Sequence, residues 1–134
     1  MIKLLLLALM AAPLLAQAGA RVDCHTEYLG ERRLISAGPT AEPYAVAPVA
    51  IDRDFLFRVA LREWPADEAG VTVAVYFPGA DGPVMIQQAH YPWPPTHGGR
   101  HGFTGLQQVF EPASDGELSY WCETVRSRTK EASR

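Results

Sequence analysis

The chain contains only two cysteines, Cys24 and Cys122, and each lies in a run that alternates between inward and outward positions. A period of two over residues 117–125 predicts a half-buried β-strand. Its inward face carries Leu118, Tyr120, Cys122 and Thr124. Residues 21–29 alternate in the same way and place Cys24 on their inward face. A disulfide between the two cysteines would tie the first strand of the domain to its last, which constrains every possible fold.

The start of the chain predicts export. Positive charge at Met1 and Lys3 precedes an apolar run of 12 residues over 4–15, and small residues follow up to Ala20. This pattern predicts a secretory signal peptide over residues 1–18, cleaved after Ala18 or Ala20. The run is shorter than the ~20 apolar residues of a membrane-spanning helix, so an uncleaved anchor is the weaker interpretation. We expect a periplasmic or extracellular protein without membrane insertion, in an oxidising compartment that preserves the disulfide.

The remaining chain has the length and the pattern of one all-β domain. Removing residues 1–18 leaves 116 residues, which we divide into a domain over 21–125 and a polar tail over 126–134. Turns rich in proline and glycine separate the extended runs 21–29, 32–36, 55–62, 71–77, 84–91, 103–111 and 117–125. The pattern predicts an antiparallel β-sandwich of about seven strands. A small β-barrel is the alternative.

The segment around the second cysteine resembles part of an immunoglobulin domain. Tyr120 stands two residues before Cys122, after Asp115 and Gly116, which is similar to the tyrosine corner of that fold. The match covers about eight residues, Asp115 is one residue too far from the tyrosine, and Cys24 lies on what would be the first strand. The resemblance implies an immunoglobulin-like sandwich with an inward, hydrogen-bonded Tyr120 hydroxyl. It identifies no particular family and no function.

A loop rich in histidine, proline and glycine follows residue 89. Three of the four histidines, His90, His97 and His101, fall in this loop. Imidazoles are common metal ligands, so a copper or zinc site on these three side chains is one functional hypothesis. Such a loop lacks the fixed scaffold that metal ligands need, and a solvated loop is therefore the preferred interpretation.

Aromatic residues supply the other candidate site. Tyr91 and Trp93 lie in the same loop, and Trp121 lies on the outward face of the last predicted strand. Exposed aromatic side chains provide contact area for protein partners or ligand rings, so these three residues form the candidate binding surface. Trp93 could instead cover a sheet edge or an open end of the core. Trp64, next to Pro65, is expected to plug one end of the sandwich.

The sequence contains no GxSxG, HExxH or GxGxxG motif, and acidic residues such as Asp52 and Asp67 fall in predicted turns. We therefore predict no catalytic activity and no cofactor. A formal net charge of −3 disfavours nucleic acid as a partner. The prediction is a small exported binding or accessory module that contacts an exported or envelope protein, or a small ligand, through residues 90–103. A periplasmic copper or zinc binding protein is the alternative.

Overall fold

The computed structural model describes residues 19–126, whose regular secondary structure is β-strand apart from two short 3₁₀ turns. The eight strands are β1 (Ala20–Tyr28), β2 (Glu31–Ala37), β3 (Val49–Ile51), β4 (Phe55–Arg62), β5 (Gly70–Gly79), β6 (Gly82–Pro92), β7 (Gln107–Phe110) and β8 (Glu117–Arg126). The 3₁₀ turns are Pro43–Ala45 and Ala66–Glu68. Seven strands overlap the predicted runs, and the short β3 is additional. The predicted signal peptide and residues 127–134 of the predicted tail lie outside the described residues.

The strands form two antiparallel sheets of four strands each. Sheet A has the order β2-β1-β8-β7, and sheet B has the order β3-β4-β5-β6. Sheet B is a meander of consecutive strands, whereas sheet A joins two hairpins from opposite ends of the chain through the β1–β8 pairing. The described strands close no barrel, so the predicted β-sandwich is confirmed over the barrel alternative. No helix in residues 19–126 is long and apolar enough to cross a membrane.

The core lies between the two sheets, on the faces that the alternation predicted to point inward. Sheet B contributes a row of buried side chains from β4, namely Phe55, Phe57, Val59 and Leu61. Sheet A contributes Val22, Cys24, Leu118, Tyr120 and Cys122, all of them fully buried. The rings of Phe57 and Tyr120 meet edge to face, with 5.1 Å between their centroids. Thr124, predicted on the same inward face, is exposed near the end of β8.

The disulfide is present where the sequence predicted it. Cys24 and Cys122 are direct partners in the β1–β8 register, and their Cα atoms lie 4.0 Å apart. The bond therefore joins neighbouring strands within sheet A. In immunoglobulin domains the corresponding bond joins the two sheets, and neither sheet is a meander of four consecutive strands. The two-sheet architecture thus agrees with the resemblance, while the placement of the disulfide departs from it.

Tyr120 also differs from the tyrosine corner on which the resemblance depended. Its ring is inward as predicted, but its hydroxyl donates a hydrogen bond to Oε1 of Gln87 on β6, at 2.6 Å. A tyrosine corner bonds instead to backbone a few residues upstream. Burial raises the pKa of the Tyr120 hydroxyl above its ordinary value, so the group remains a neutral donor. The result is a polar link between the two sheets inside an apolar core.

The proline-rich connection between β2 and β3 covers the outer face of sheet B. The backbone N–H of Thr40 donates to the carbonyl of Leu61 at 2.9 Å, which fixes this loop beside β4. Beneath it, Ala60 and Ala74 on the outward face are buried. Trp64 was predicted to plug the sandwich and is instead 79% exposed, so that prediction is wrong. The β4–β5 connection that carries Trp64 contributes no buried side chain to the core.

Candidate functional site

The candidate site is a groove on the outer face of sheet A, built around Trp121. The β1–β8 register sets Trp121 directly opposite His25. Because opposed residues on one face of an antiparallel pair bring their side chains into contact, the two rings stack. Their centroids are 4.0 Å apart and their planes differ by 13°. The stack stands on the strand pair that the disulfide joins, one residue along from each cysteine.

A close approach of the loop before β7 adds His101 to this stack. Gly102 has a φ of +62°, and a Cβ atom built on it would lie 1.9 Å from the carbonyl oxygen of Cys122. Only glycine fits there without a backbone shift. The next residue, Phe103, donates its backbone N–H to the same carbonyl at 3.0 Å. The loop is thereby fixed against β8, and the His101 ring meets Trp121 at 5.8 Å and 75°.

The hydroxyl of Thr104 completes this attachment. It accepts a hydrogen bond from the backbone N–H of Cys122 at 2.9 Å and donates one to the carbonyl of Gly105 at 2.8 Å. Thr104 is buried, so these two bonds satisfy a hydroxyl that would otherwise be costly to bury. Residues 102–104 therefore occupy the side of β8 beyond the end of β7 and set the position of one wall of the site.

The rest of the site forms a groove of about 680 Å³ around Trp121. Leu34 on β2 and Leu106 before β7 line it, with side chains 55% and 50% exposed. An ion pair between Arg32 and Glu27, 3.0 Å from Nε to Oε2, adds both signs of charge to the lining. We name this feature the aromatic groove and define it by His25, Leu34, His101, Leu106 and Trp121. It combines an apolar centre with a charged margin.

A buried nitrogen in the aromatic groove has no hydrogen-bond partner within residues 19–126. Nε2 of His25 is buried and lies 3.6 Å from Oε2 of Glu123, which is close enough for an ion pair but too long for a hydrogen bond. Further along β1, the Arg21 guanidinium lowers the pKa of the Asp23 carboxyl, and the Ser36 hydroxyl adds a hydrogen bond at 2.6 Å. These contacts fix the charged side chains that lie beside the groove.

The predicted binding surface of Tyr91, Trp93 and Trp121 is not one surface. Tyr91 and Trp93 are partly buried and pack against the core, and the Tyr91 ring meets Phe103 edge to face at 5.3 Å. This agrees with the alternative in which Trp93 covers the core. Trp121 alone of the three lies in the aromatic groove. The loop contributes to the groove through His101 instead.

The three histidines of the metal hypothesis are also separated. His101 lies on the outer face of sheet A, whereas His90 lies on the outer face of sheet B, where its Nδ1 is 3.0 Å from Oγ1 of Thr72. His97 is exposed in the loop. In residues 19–126, no three His, Cys, Asp or Glu side chains are grouped so that they could hold a metal ion.

His25, which stacks on Trp121, is not among the site residues predicted from the sequence. A signal was available, because a disulfide between two adjacent antiparallel strands requires their cysteines to be register partners. Once Cys24 is set opposite Cys122, His25 must lie opposite Trp121. Leu34 follows in the same way, since it is the β2 partner of His25.

No protein-family model matches this sequence, and neither a curated protein nor a solved structure matches it.

Proposed function

We propose that this protein is an exported, non-catalytic binding module whose aromatic groove takes an apolar side chain of another exported or envelope protein. The observation that carries the proposal is Trp121, held between His25 and His101 at the centre of a groove with exposed leucines. Binding energy at protein interfaces concentrates in tryptophan, tyrosine and arginine near the centre of the contact. Fixed aromatic rings also lose little conformational entropy when a partner binds.

The margin of the groove supports a protein partner. The Arg32–Glu27 pair carries both signs of charge, and Ser119 adds a hydroxyl, as is typical of the polar rim of an interface. The volume of about 680 Å³ lies within the range of small-ligand sites as well, so a free small ligand is the other outcome of the test.

Export is part of this proposal and has one structural support. A Cys24–Cys122 disulfide is compatible with an oxidising compartment outside the cytoplasm. The immunoglobulin-like resemblance adds no function, because one fold serves many unrelated activities. No observation favours the copper or zinc alternative, since its three histidines are separated.

A crosslinking experiment tests the proposal. A photo-crosslinking amino acid is placed at Leu34 in the groove, and in a control at Tyr44, which is 87% exposed on the other face. In cells of the source organism, we expect one defined adduct from position 34 and none from position 44. An adduct from position 44 alone would assign the contact to sheet B and contradict the proposal.

Two substitutions identify the contact. Trp121→Ala should abolish the adduct, while Trp64→Ala, which removes a tryptophan that is 79% exposed elsewhere, should leave it unchanged. Thermal unfolding confirms that each variant is folded. If Trp121→Ala is unstable, Leu34→Glu tests the groove without removing a half-buried ring. Titration of the purified protein with candidate small ligands, followed by tryptophan fluorescence, detects the small-ligand outcome.

A further inference from the structure

A second concave site lies on the outer face of sheet B, on the opposite side of the sandwich from the aromatic groove. Its cavity measures about 370 Å³. Arg58 and Arg62 of β4 and His90 of β6 line it, with Tyr44 from the covering loop. We name it the arginine pocket and define it by Arg58, Arg62 and His90. None of these residues belongs to the aromatic groove, so the inference below goes beyond the proposed function.

Strand register builds the pocket. On the outward face of β4, the buried Ala60 lies between Arg58 and Arg62, and its small side chain leaves space between the two long ones. Across the sheet, Ala60 pairs with Thr72, and Thr72 pairs with His90. Nδ1 of His90 lies 3.0 Å from Oγ1 of Thr72, which orients the imidazole and leaves its Nε2 on the other side of the ring.

Two donors in the pocket lack acceptors. Nε of Arg58 and Nε of Arg62 are both buried and have no hydrogen-bond partner among the described residues. The remaining contact of Arg58 is weak, because its Nη1 lies 3.5 Å from the carbonyl oxygen of Pro43. Buried donors without acceptors are rare in folded proteins and are commonly satisfied by water, an ion or a ligand. An oxyanion that bonds to these guanidinium groups, with a small shift of the side chains to expose Nε, would supply the missing acceptors and stabilise the pocket.

Charge indicates the ligand class. The lining contains two arginines and one histidine but a single acidic residue, Glu68, whose Oε2 lies 2.7 Å from Nη1 of Arg62. Arg58 forms no ion pair with any described residue. The pocket is thus locally basic on a chain with a formal net charge of −3. Arginine presents a planar pair of donors that matches carboxylate and phosphate oxygens.

We propose that Arg58, Arg62 and His90 form a binding site for an oxyanion, a carboxylate or phosphate group carried by a small molecule. Glu68 holds Arg62 in the absence of the ligand and competes with it. The exposed Tyr44 ring stands at the mouth of the pocket, where it can contact the remainder of the molecule.

NMR titration of the protein without residues 1–18 tests this site with two probes, sodium phosphate and sodium succinate, each at constant ionic strength. We expect saturable shifts of the amides in residues 58–62, 70–72 and 90 with at least one probe. A response to phosphate alone assigns a phosphate group, a response to succinate alone assigns a carboxylate, and a response to both assigns a general oxyanion site. No saturable shift at these amides, or equal shifts with sodium chloride, would overturn the proposal.

Substitutions separate this site from general surface charge. Arg58→Gln should weaken probe binding about tenfold or more, because a hydrogen-bonded charge is lost. Arg126→Gln removes an exposed arginine at the end of β8 in sheet A, outside both sites, and should leave the affinity unchanged. Glu68→Gln should strengthen binding by up to about fivefold, because it removes the acid that competes for Arg62. A purely structural role of Arg58 and Arg62 predicts no such gain.

Arg58→Lys covers the case in which the glutamine variant is unstable, since it keeps the charge and the apolar stem but loses the planar pair of donors. It should still weaken probe binding. Unchanged affinity in folded Arg58→Lys and Arg58→Gln variants would overturn the proposal, as would an equal loss in Arg126→Gln.

Discussion

Sheet A and sheet B have equal numbers of strands but are built in different ways. Every pairing in sheet B joins strands that are consecutive in the chain, and the β5–β6 hairpin turns over residues 80–81. The central pairing of sheet A joins β1 to β8, with a separation of 98 residues between the bonded cysteines. Closing such a long loop costs conformational entropy that a disulfide removes from the unfolded state. The covalent bond therefore lies where local contacts contribute least.

The outer faces of the two sheets differ as well. The proline-rich loop covers sheet B and leaves one small basic pocket at its margin, whereas the centre of sheet A presents Trp121 in an open groove. The aromatic groove thus stands on the sheet that depends on a long-range bond. Its geometry should be sensitive to changes in sheet A and insensitive to changes in sheet B.

The largest expected effect is loss of the disulfide. Replacing both Cys24 and Cys122 by alanine should lower the free energy of unfolding by roughly 2–5 kcal/mol, the range typical of a disulfide removed from a small domain. Hydrogen exchange should show that amides of β1 and β8 lose more protection than those of β4 and β5. Urea unfolding measures the change in the free energy of unfolding. Equal loss of protection in both sheets would show that sheet A depends on the disulfide no more than sheet B does.

The oxidation state of the natural protein is the matching control. Thiol titration under denaturing conditions should find no free thiol in material expressed with export. Two free thiols in that material would show that the disulfide does not form and so cannot stabilise sheet A.

The next effect concerns the loop that carries His101. Gly102→Ala forces a Cβ atom against the carbonyl of Cys122, whereas Gly105, with a φ of +68°, has open space around it. Gly105→Ala should cost roughly 1–2 kcal/mol from its backbone conformation alone. Gly102→Ala should cost about 1–3 kcal/mol more, because the crowded backbone must move.

Denaturant midpoints compare the two glycine variants, and the NMR signals of the His101 ring report whether it still contacts Trp121. We expect that contact to be lost in Gly102→Ala and retained in Gly105→Ala. Equal costs in the two variants would show that the loop does not depend on its close approach to β8.

A smaller effect is expected at the polar link between the sheets. Tyr120→Phe removes the hydrogen bond between the buried hydroxyl and the half-buried Gln87 amide, and should cost about 1–3 kcal/mol because that amide loses its partner. Trp121→Phe should cost less, since a ring still stacks on His25. Adding Gln87→Leu to Tyr120→Phe should recover part of the loss. Similar costs for Tyr120→Phe and Trp121→Phe in urea unfolding would show that the link adds little.

The fold was largely predictable because alternation along a strand directly reports burial. The alternation over residues 55–62 and 117–125 predicted both strands and, apart from Thr124, their inward faces, and the two inward cysteines predicted the disulfide. Partners across the sandwich carry no such signal. The contact between Tyr120 and Gln87 depends on how two sheets stack, and nothing in either strand specifies it.

The sites were less predictable for the same reason. Tyr91 and Trp93 could cover the core or face solvent, and both pack against the core, Tyr91 through its contact with Phe103. The arginine pocket depends on where an aperiodic, proline-rich loop lies over sheet B. His25 comes within reach only once β1 and β8 are known to be neighbours in one sheet, because the disulfide then sets His25 opposite Trp121.

The smallest expected effect is a difference in acid sensitivity. Hydrogen bonds lower the pKa of two carboxyl groups, Asp23 through Arg21 and Glu111 chiefly through Ser114, and both groups belong to sheet A or its β7–β8 turn. A carboxyl whose folded pKa is below its unfolded value stabilises the fold above the unfolded pKa. That stabilisation is lost as the pH falls through the folded pKa. Acid should therefore weaken sheet A as the pH falls below about 4.

Asp23→Asn tests this directly. Because Arg21 is 45% exposed, solvent screens the pair, and the substitution should lower stability at pH 7 by no more than about 1 kcal/mol. It should also reduce the fall in stability below about pH 4, since one titrating group is gone. Urea unfolding at several pH values gives both quantities, and hydrogen exchange assigns the change to β1 and β2. An acid dependence identical to that of the natural protein would mean that the Asp23 contacts do not contribute to the stability of sheet A.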